Sequence, residues 1–125
     1  VKAITNGKGV PVVYDSVGKD TALQSLECLS SLGLLVIFGN SSGNAPAIEP
    51  GWLATKGSLY VTRPTLFNYN DTREKLMESA NQVFSMVRSG KVSIKIGAQY
   101  DLKDAVQAHK DLEARKTTGC IILRP

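Results

Sequence analysis

The segments VPVVYDSVG (10–18), KDTALQSLECLSSLG (19–33) and LLVIFG (34–39) decide the fold. The first and third are short runs of apolar, mainly β-branched residues, which are typical of buried strands. The second has apolar residues at helical spacing and lies directly between them. A strand, a helix and a strand joined by short connections predict a βαβ crossover, whose two strands are parallel.

The boundaries of this first helix can be predicted as well. Asp20 or Thr21 can cap its start, and Gly33 can take the left-handed position that follows a helix end. The apolar positions predict which residues face the core: Ala22, Leu23, Leu26, Leu29 and Leu32.

The rest of the chain continues the alternation of strands and helices. The predicted elements are a helical turn in EPGWLATKG (49–57), a strand SLYVTRP (58–64), a helix at 71–91, a half-exposed strand VSIKIGAQY (92–100), a helix at 101–116 and a strand TGCIILRP (118–125). The helix at 71–91 has an apolar stripe, and the helix at 101–116 is predicted to turn Leu102, Ala105, Ala108 and Leu112 inward. Alternating strands and helices predict an α/β fold.

Composition excludes several classes of protein. The chain has 125 residues, of which 42% are hydrophobic, and this is enough for one ordinary core. No apolar run approaches the roughly 20 residues that span a bilayer, so we expect no membrane association. The net charge of +4 comes from scattered Lys and Arg, and this argues against nucleic acid as a partner. Cys28 and Cys120 are far apart in apolar runs, so we expect both to be buried in a protein of the reducing cytoplasm.

One loop has the composition of a ligand-binding segment. The residues Gly39-Asn40-Ser41-Ser42-Gly43 follow a predicted strand and are expected to combine small side chains with many free backbone N–H groups. In an open α/β sheet, ligands bind beyond the carboxyl ends of the strands. The loop is not a P-loop, because no Gly-Lys-Ser/Thr follows it. Gly7-Lys8-Gly9 is not a dinucleotide fingerprint either, because it precedes a strand.

Other chemistry has little support in the sequence. A single histidine, His109, and two isolated cysteines cannot make a zinc site, and no serine lies in a nucleophile elbow. Asp15, at the end of a strand, is expected to form a turn or cap a helix. Arg63 and Arg115 would bind a phosphate only if they converged with the strand ends.

Four segments of the chain carry a family resemblance: VVYDSVGKDT, SLECLSSLGLLVIFGNSSG, KGSLYVTRPTLFNY and DAVQAHKDLEARKTTGCIILRP. Together they closely resemble the quinone oxidoreductase (zeta-crystallin-like) branch of the medium-chain dehydrogenase/reductase superfamily, over essentially the whole chain. The resemblance implies a partial Rossmann fold, the second half of a doubly wound parallel sheet, plus a C-terminal helix and strand. Residues 1–92 would be the C-terminal half of the NADPH-binding domain, and residues 93–125 would return to the catalytic domain.

The resemblance also implies a cofactor site for NADPH without zinc. In the branch, a turn, two loops and an arginine face the cofactor. The corresponding residues here are Val17, Gly18, Phe38, Gly39, Asn40, Ser41, Ser42, Pro64, Thr65, Leu66 and Arg115. No residue is assigned as a catalytic acid or base, since catalysis in the branch is mainly positioning. The GroES-like domain and the glycine-rich turn have no counterpart, so we expect a C-terminal fragment that is inactive alone.

The implied activity is hydride transfer from NADPH to a quinone. An enone or alkenal reductase of the same branch is the alternative among enzymes, and a half-Rossmann oligomerisation module is the alternative without catalysis. Members of the branch pair the strand that corresponds to Ser58–Thr62 across a twofold axis, so we expect a homodimer.

Overall fold

The computed structural model describes all residues from Val1 to Pro125, which form two compact units, Val1–Asp71 and Thr72–Pro125. After a 3₁₀ turn at Lys2–Thr5, the first unit contains β1 (Val10–Asp15), α1 (Ala22–Glu27), β2 (Leu29–Ile37), α2 (Pro50–Thr55), β3 (Tyr60–Thr62) and α3 (Leu66–Tyr69). The second unit contains α4 (Arg73–Arg88), β4 (Ile96–Asp101), a 3₁₀ turn (Leu102–Asp104), α5 (Ala105–Glu113) and β5 (Cys120–Arg124).

The first unit is built on a three-stranded sheet in the order β1-β2-β3. Both pairs of strands are parallel, with Asp15 opposite Ile37 and Val36 opposite Thr62. The predicted βαβ crossover is therefore confirmed, and so is the α/β class with a parallel sheet. Because the strands are parallel, all three carboxyl ends lie at one edge of the sheet.

The core of the first unit lies on one face of this sheet. It consists of buried aliphatic side chains from α1, β2 and the segment before β3: Ala22, Leu26, Leu29, Leu35, Ile37 and Leu59. On the other face, Tyr14 and Tyr60 are 72% and 60% exposed. The prediction that β1 is a buried strand is wrong, because successive side chains alternate between the faces and only one face is covered.

The first helix is shorter than predicted. It ends at Glu27, and Leu29–Gly33 belongs to β2. Leu32 is 67% exposed, adopts φ 61° and donates its N–H to the carbonyl of Gly57 over 2.8 Å. Gly33 is not left-handed as predicted. It is required because a Cβ there would lie 2.8 Å from the carbonyl oxygen of Ser30.

In the second unit, β4 and β5 form a parallel pair, with Ile96 opposite Cys120. The helix α4 is capped at its start by Thr72, whose hydroxyl accepts the N–H of Lys75, but none of its residues is buried. In α5 only Ala108 is buried. The prediction that Leu102 and Leu112 turn inward is wrong. Both side chains are largely exposed, because this small unit encloses little space.

The cysteines also differ from expectation. Cys28 is half-buried and Cys120 is exposed, so the prediction of burial is wrong for Cys120, which lies on a two-stranded sheet too small to enclose it. No helix is long and apolar enough to cross a membrane. The predicted division into residues 1–92 and 93–125 concerns roles implied by the family and stays a prediction.

Candidate binding site at the carboxyl edge of the sheet

The β1–α1 turn (residues 16–21) is organised by one buried carboxylate. Oδ1 of Asp15 accepts the backbone N–H groups of Val17 and Gly18 over 2.8 and 3.0 Å. Its two oxygens also accept the hydroxyls of Thr21 and Ser25, from the start of α1, over 2.7 to 2.9 Å. The prediction that Asp15 forms a turn or caps a helix is confirmed.

The carboxylate of Asp15 is ionised in spite of its burial. Only 4% of the residue is exposed, and this burial by itself raises its pKa. The hydrogen bonds from Gly18, Ser25, Thr21 and Val17 outweigh burial and lower the pKa to about 2. The turn is therefore built around a permanent negative charge at neutral pH.

The β2 loop (residues 38–43) is bonded directly to the β1–α1 turn. Ser42 donates both its N–H and its hydroxyl to the carbonyl of Val17, over 3.0 and 2.8 Å. The same hydroxyl accepts the N–H of Asp20 over 3.1 Å, and Lys19 donates its N–H to the carbonyl of Gly43 over 3.0 Å. The two segments thus form one hydrogen-bonded unit.

Two glycines make this contact possible. Gly18 has φ 88°, and a Cβ on it would lie 2.5 Å from the carbonyl oxygen of Gly43. A Cβ on Gly39 would lie 2.4 Å from the carbonyl oxygen of Ser16. Any larger residue at either position would force the two segments apart.

Only part of the β2 loop offers free donors. The N–H groups of Ser41, Ser42 and Gly43 are all donated to carbonyls of the protein, so the expectation of many free N–H groups does not hold for them. The N–H groups of Gly39 and Asn40 have no acceptor in the structure. These two amides are available to a ligand at the end of the central strand.

An apolar groove begins at Phe38, the residue that precedes these amides. Phe38 is 53% exposed and meets the ring of Tyr14 edge to face, with 6.5 Å between the ring centroids. Both rings line a groove of about 540 Å³ together with Thr62 and Pro64 from the end of β3. The structure therefore brings the predicted residues Phe38 and Pro64 to one groove.

The remaining predicted residues lie in two places. Thr65 is the residue before α3, and Leu66 begins that helix with 68% of its surface exposed. Arg115 belongs to the second unit, where it follows α5 with φ 56° and donates its N–H to the carbonyl of Leu112 over 3.0 Å. Its guanidinium has no acidic partner in the structure. A residue other than glycine is strained in the left-handed backbone conformation, and such strain is frequent at functional sites.

The segment around Arg115 is held by a second hydrogen-bonded network. Asp111 accepts hydrogen bonds from Tyr100 and Gln107 over 3.0 Å each and from Lys116 over 3.3 Å. The bond from Gln107 is the largest of the contributions that lower the pKa of this carboxyl. Tyr100 and Lys116 thereby tie β4 and the residue after Arg115 to the end of α5.

Sequence reasoning missed Tyr14 and Ser25. The alternation of side chains in VPVVYD places Tyr14 on the face opposite Asp15, and the prediction of a wholly buried strand does not use this alternation. No local signal identifies Ser25, which contacts Asp15 from ten positions along the chain.

No group of three or more His, Cys, Asp or Glu side chains lies close enough together to hold a metal ion. His109 is exposed on α5.

Comparison with known proteins gives a consistent result. The chain matches the zinc-binding dehydrogenase family over residues 1–123. It is 50% identical to a quinone oxidoreductase of Pseudomonas aeruginosa, over all of this chain and 38% of that protein. It is 40% identical to a 2-haloacrylate reductase of a Burkholderia species, again over all of this chain and 38% of that protein.

A solved structure shares the fold. The Escherichia coli quinone oxidoreductase complexed with NADPH matches with a TM-score of 0.88 and 52% identity, covering 99% of this chain and 39% of that one. The chain thus spans about two fifths of each of these three proteins, and the resemblance to the quinone oxidoreductase branch is confirmed. By its match over residues 1–123, the chain belongs to the zinc-binding dehydrogenase family.

Proposed function

We propose that this chain forms part of the NADPH site of a quinone oxidoreductase, which transfers a hydride from NADPH to a quinone. The observation that carries the proposal is the pair of unpaired N–H groups on Gly39 and Asn40. They lie at the carboxyl end of the central strand, beside the exposed ring of Phe38. Ligands of open parallel sheets bind at this edge.

The residues present fit a nicotinamide cofactor. The groove lined by Phe38 and Pro64 suits a flat ring, and the two free amides suit the polar groups of a carboxamide or a ribose. Gly18 and Gly39 let the β1–α1 turn and the β2 loop meet, and this contact fixes the backbone that carries the two amides. NADPH supplies the hydride when it is bound, and this chain's residues bind it, orient it and exclude water.

The roles of the individual residues follow from this placement. Val17, Gly18, Thr65 and Leu66 would bound the site through backbone and apolar contact, and Ser41 has a free hydroxyl beside the two amides. Arg115, with no acidic partner, would pair with a cofactor phosphate. No acid or base is required of this chain, because its contribution is positioning.

A reductase of conjugated alkenes is the second candidate. The 40% identical relative is named for the reduction of a 2-haloacrylate, whose double bond is conjugated to a carboxylate. Hydride transfer to such an alkene would use the same cofactor placement as transfer to a quinone. A half-Rossmann module that only oligomerises is the remaining alternative, and cofactor binding would contradict it.

Assembly and location are part of the proposal. β3 is an outer strand of the sheet, bonded only to β2, so its other edge can pair with a second copy. A homodimer through Ser58–Thr62 follows, by symmetric antiparallel pairing. A cytoplasmic location stays a prediction.

A chimera tests the function. Residues 1–125 would replace the matching segment of the Escherichia coli quinone oxidoreductase, and NADPH oxidation would be followed with quinones and with conjugated alkenes. We expect quinone-dependent oxidation by the chimera and none by the 125-residue chain alone, because that chain has no glycine-rich turn. Activity only with alkenes would favour the second candidate, and a folded chimera that does not bind NADPH would contradict both.

A further inference from the structure

The hydroxyl of Ser42 is already committed within the protein. A serine hydroxyl has one donor and two acceptor lone pairs. The donor of Ser42 goes to the carbonyl of Val17 over 2.8 Å, and the oxygen accepts the N–H of Asp20 over 3.1 Å. The preceding residue, Ser41, is exposed, and its hydroxyl has no partner in the structure.

We infer that Ser42 is a positioning residue of the cofactor site and not one of its cofactor contacts. The inference rests on the proposed function and revises one predicted contact. Ser42 joins the β2 loop, which carries the two free amides, to the β1–α1 turn, and it acts through that turn.

The connection continues to Asp15. The groups that Ser42 engages, the carbonyl of Val17 and the N–H of Asp20, belong to a turn that Asp15 fixes through the N–H groups of Val17 and Gly18. Ser42 is therefore bonded to a rigid partner. Without its hydroxyl, only backbone bonds tie the loop to the β1–α1 turn: Ser41 N–H to Ser16, Ser42 N–H to Val17 and Lys19 N–H to Gly43.

Loss of the Ser42 hydroxyl would therefore lower the affinity of the site for its ligand. Gly39 and Asn40 precede Ser42 by at most three residues, so a loosened loop would present their amides in the binding orientation for less of the time. Affinity for a ligand falls in proportion to the population of the competent conformation. The hydride-transfer step from an already bound cofactor would be unchanged.

The first experiment uses the 125-residue chain without any cofactor. Backbone hydrogen exchange is compared in Ser42→Ala, the matched control Ser41→Ala, and Ser42→Thr, which retains the hydroxyl. We expect exchange within 16–21 and 38–43 to rise about tenfold in Ser42→Ala, because the two hydrogen bonds of the hydroxyl are lost. Ser41→Ala should change nothing, and Ser42→Thr should restore protection. Unchanged exchange in Ser42→Ala, or an equal rise over the whole chain, would overturn the inference.

The second experiment separates positioning from stability. In the chimera with the Escherichia coli enzyme, Ser42→Ala should raise the KM for NADPH about tenfold with kcat retained, and Ser42→Thr should restore the KM. A KM that stays unchanged while the loop exchanges faster would contradict a positioning role. If the unmodified chimera fails to bind NADPH while Ser42→Ala still loosens both segments, the proposed function fails and the connection between the segments stands.

Discussion

The hydroxyl of Ser25 donates a hydrogen bond of 2.7 Å to Oδ2 of Asp15, ten residues earlier in the chain. This bond fastens α1 to the end of β1, while Oδ1 of the same carboxylate holds the backbone of the turn between them. One buried charge thus determines where the helix begins and how the turn after the strand is shaped.

The pH dependence of stability should reveal this carboxylate. The pKa of Asp15 is lowered from 3.8 to about 2, so its contribution is fully present above pH 3.8 and is lost as the pH falls to about 2. A shift of this size corresponds to about 2 kcal/mol. The free energy of unfolding in urea should be measured at pH 5 and at about pH 2. Its fall between these two pH values should be smaller in Asp15→Asn than in the wild type, by about 2 kcal/mol.

The matched control for this experiment is Asp20→Asn. Asp20 is exposed in the same turn, and its carboxylate accepts no hydrogen bond. Its replacement should leave the acid dependence unaltered. If wild type and Asp15→Asn lose stability in parallel, the carboxylate does not hold the turn as the structure shows.

Replacement of Gly39 by alanine should separate the two segments of the site. The new Cβ would lie 2.4 Å from the carbonyl oxygen of Ser16, and a backbone atom cannot yield as a flexible side chain can. We expect a loss of about 2 kcal/mol or more in the free energy of unfolding, in the range of severe steric changes. Thermal or urea unfolding of the isolated chain measures it.

Gly51→Ala is the control for the glycine experiment. Gly51 lies in α2, and a Cβ there would have no neighbour within 4 Å. Alanine favours a helix by up to about 1 kcal/mol over glycine, so this variant should be neutral or more stable. Equal free energies of unfolding in the two variants would show that the carbonyl of Ser16 leaves room for a Cβ on Gly39.

The charge of Arg115 should matter for cofactor affinity. In the chimera, Arg115→Ala should weaken NADPH binding about tenfold or more, because a charge-assisted bond to a phosphate contributes about 1.5 to 3 kcal/mol. The loss should be greater at low salt, since ions screen such a contact. Titration of NADPH at two ionic strengths provides the measurement.

Lys110→Ala removes the same charge from the same region. Lys110 lies in α5 and makes no ion pair, so its loss changes the net charge alone. Its effect on NADPH affinity should be small. Should Arg115→Ala and Lys110→Ala prove equivalent, Arg115 is an ordinary surface charge.

The outer edge of β3 should mediate self-association. Light scattering at micromolar concentration should give the mass of a dimer, and Val61→Pro, which removes a donor from the strand, should shift it to a monomer. Circular dichroism checks that the variant remains folded. Amide exchange of Tyr60–Thr62 should also slow as wild-type concentration rises. A wild-type monomer, or a dimer that survives in folded Val61→Pro, would place the interface elsewhere.

The sequence by itself determined the βαβ order, the parallel sheet and the edge at which a ligand would bind. These follow from the local periodicity of apolar residues, which the segments 10–18, 19–33 and 34–39 display directly. It also identified Asp15 as a turn or capping residue, because an aspartate at a strand end more often forms a turn or caps a helix than it takes part in catalysis. The family motifs then indicated which residues should face a cofactor.

Only the tertiary structure decided which of those residues keep hydrogen-bonding groups free for a ligand. Ser41 and Ser42 look equivalent in the sequence. The hydroxyl of Ser42, however, donates to the carbonyl of Val17, 25 residues away, whereas the hydroxyl of Ser41 has no partner. Leu32 rather than Gly33 became left-handed because its N–H is donated to Gly57. Hydrogen-bond partners that come from distant segments are invisible to local periodicity, and burial depends on which face of a sheet the rest of the chain covers.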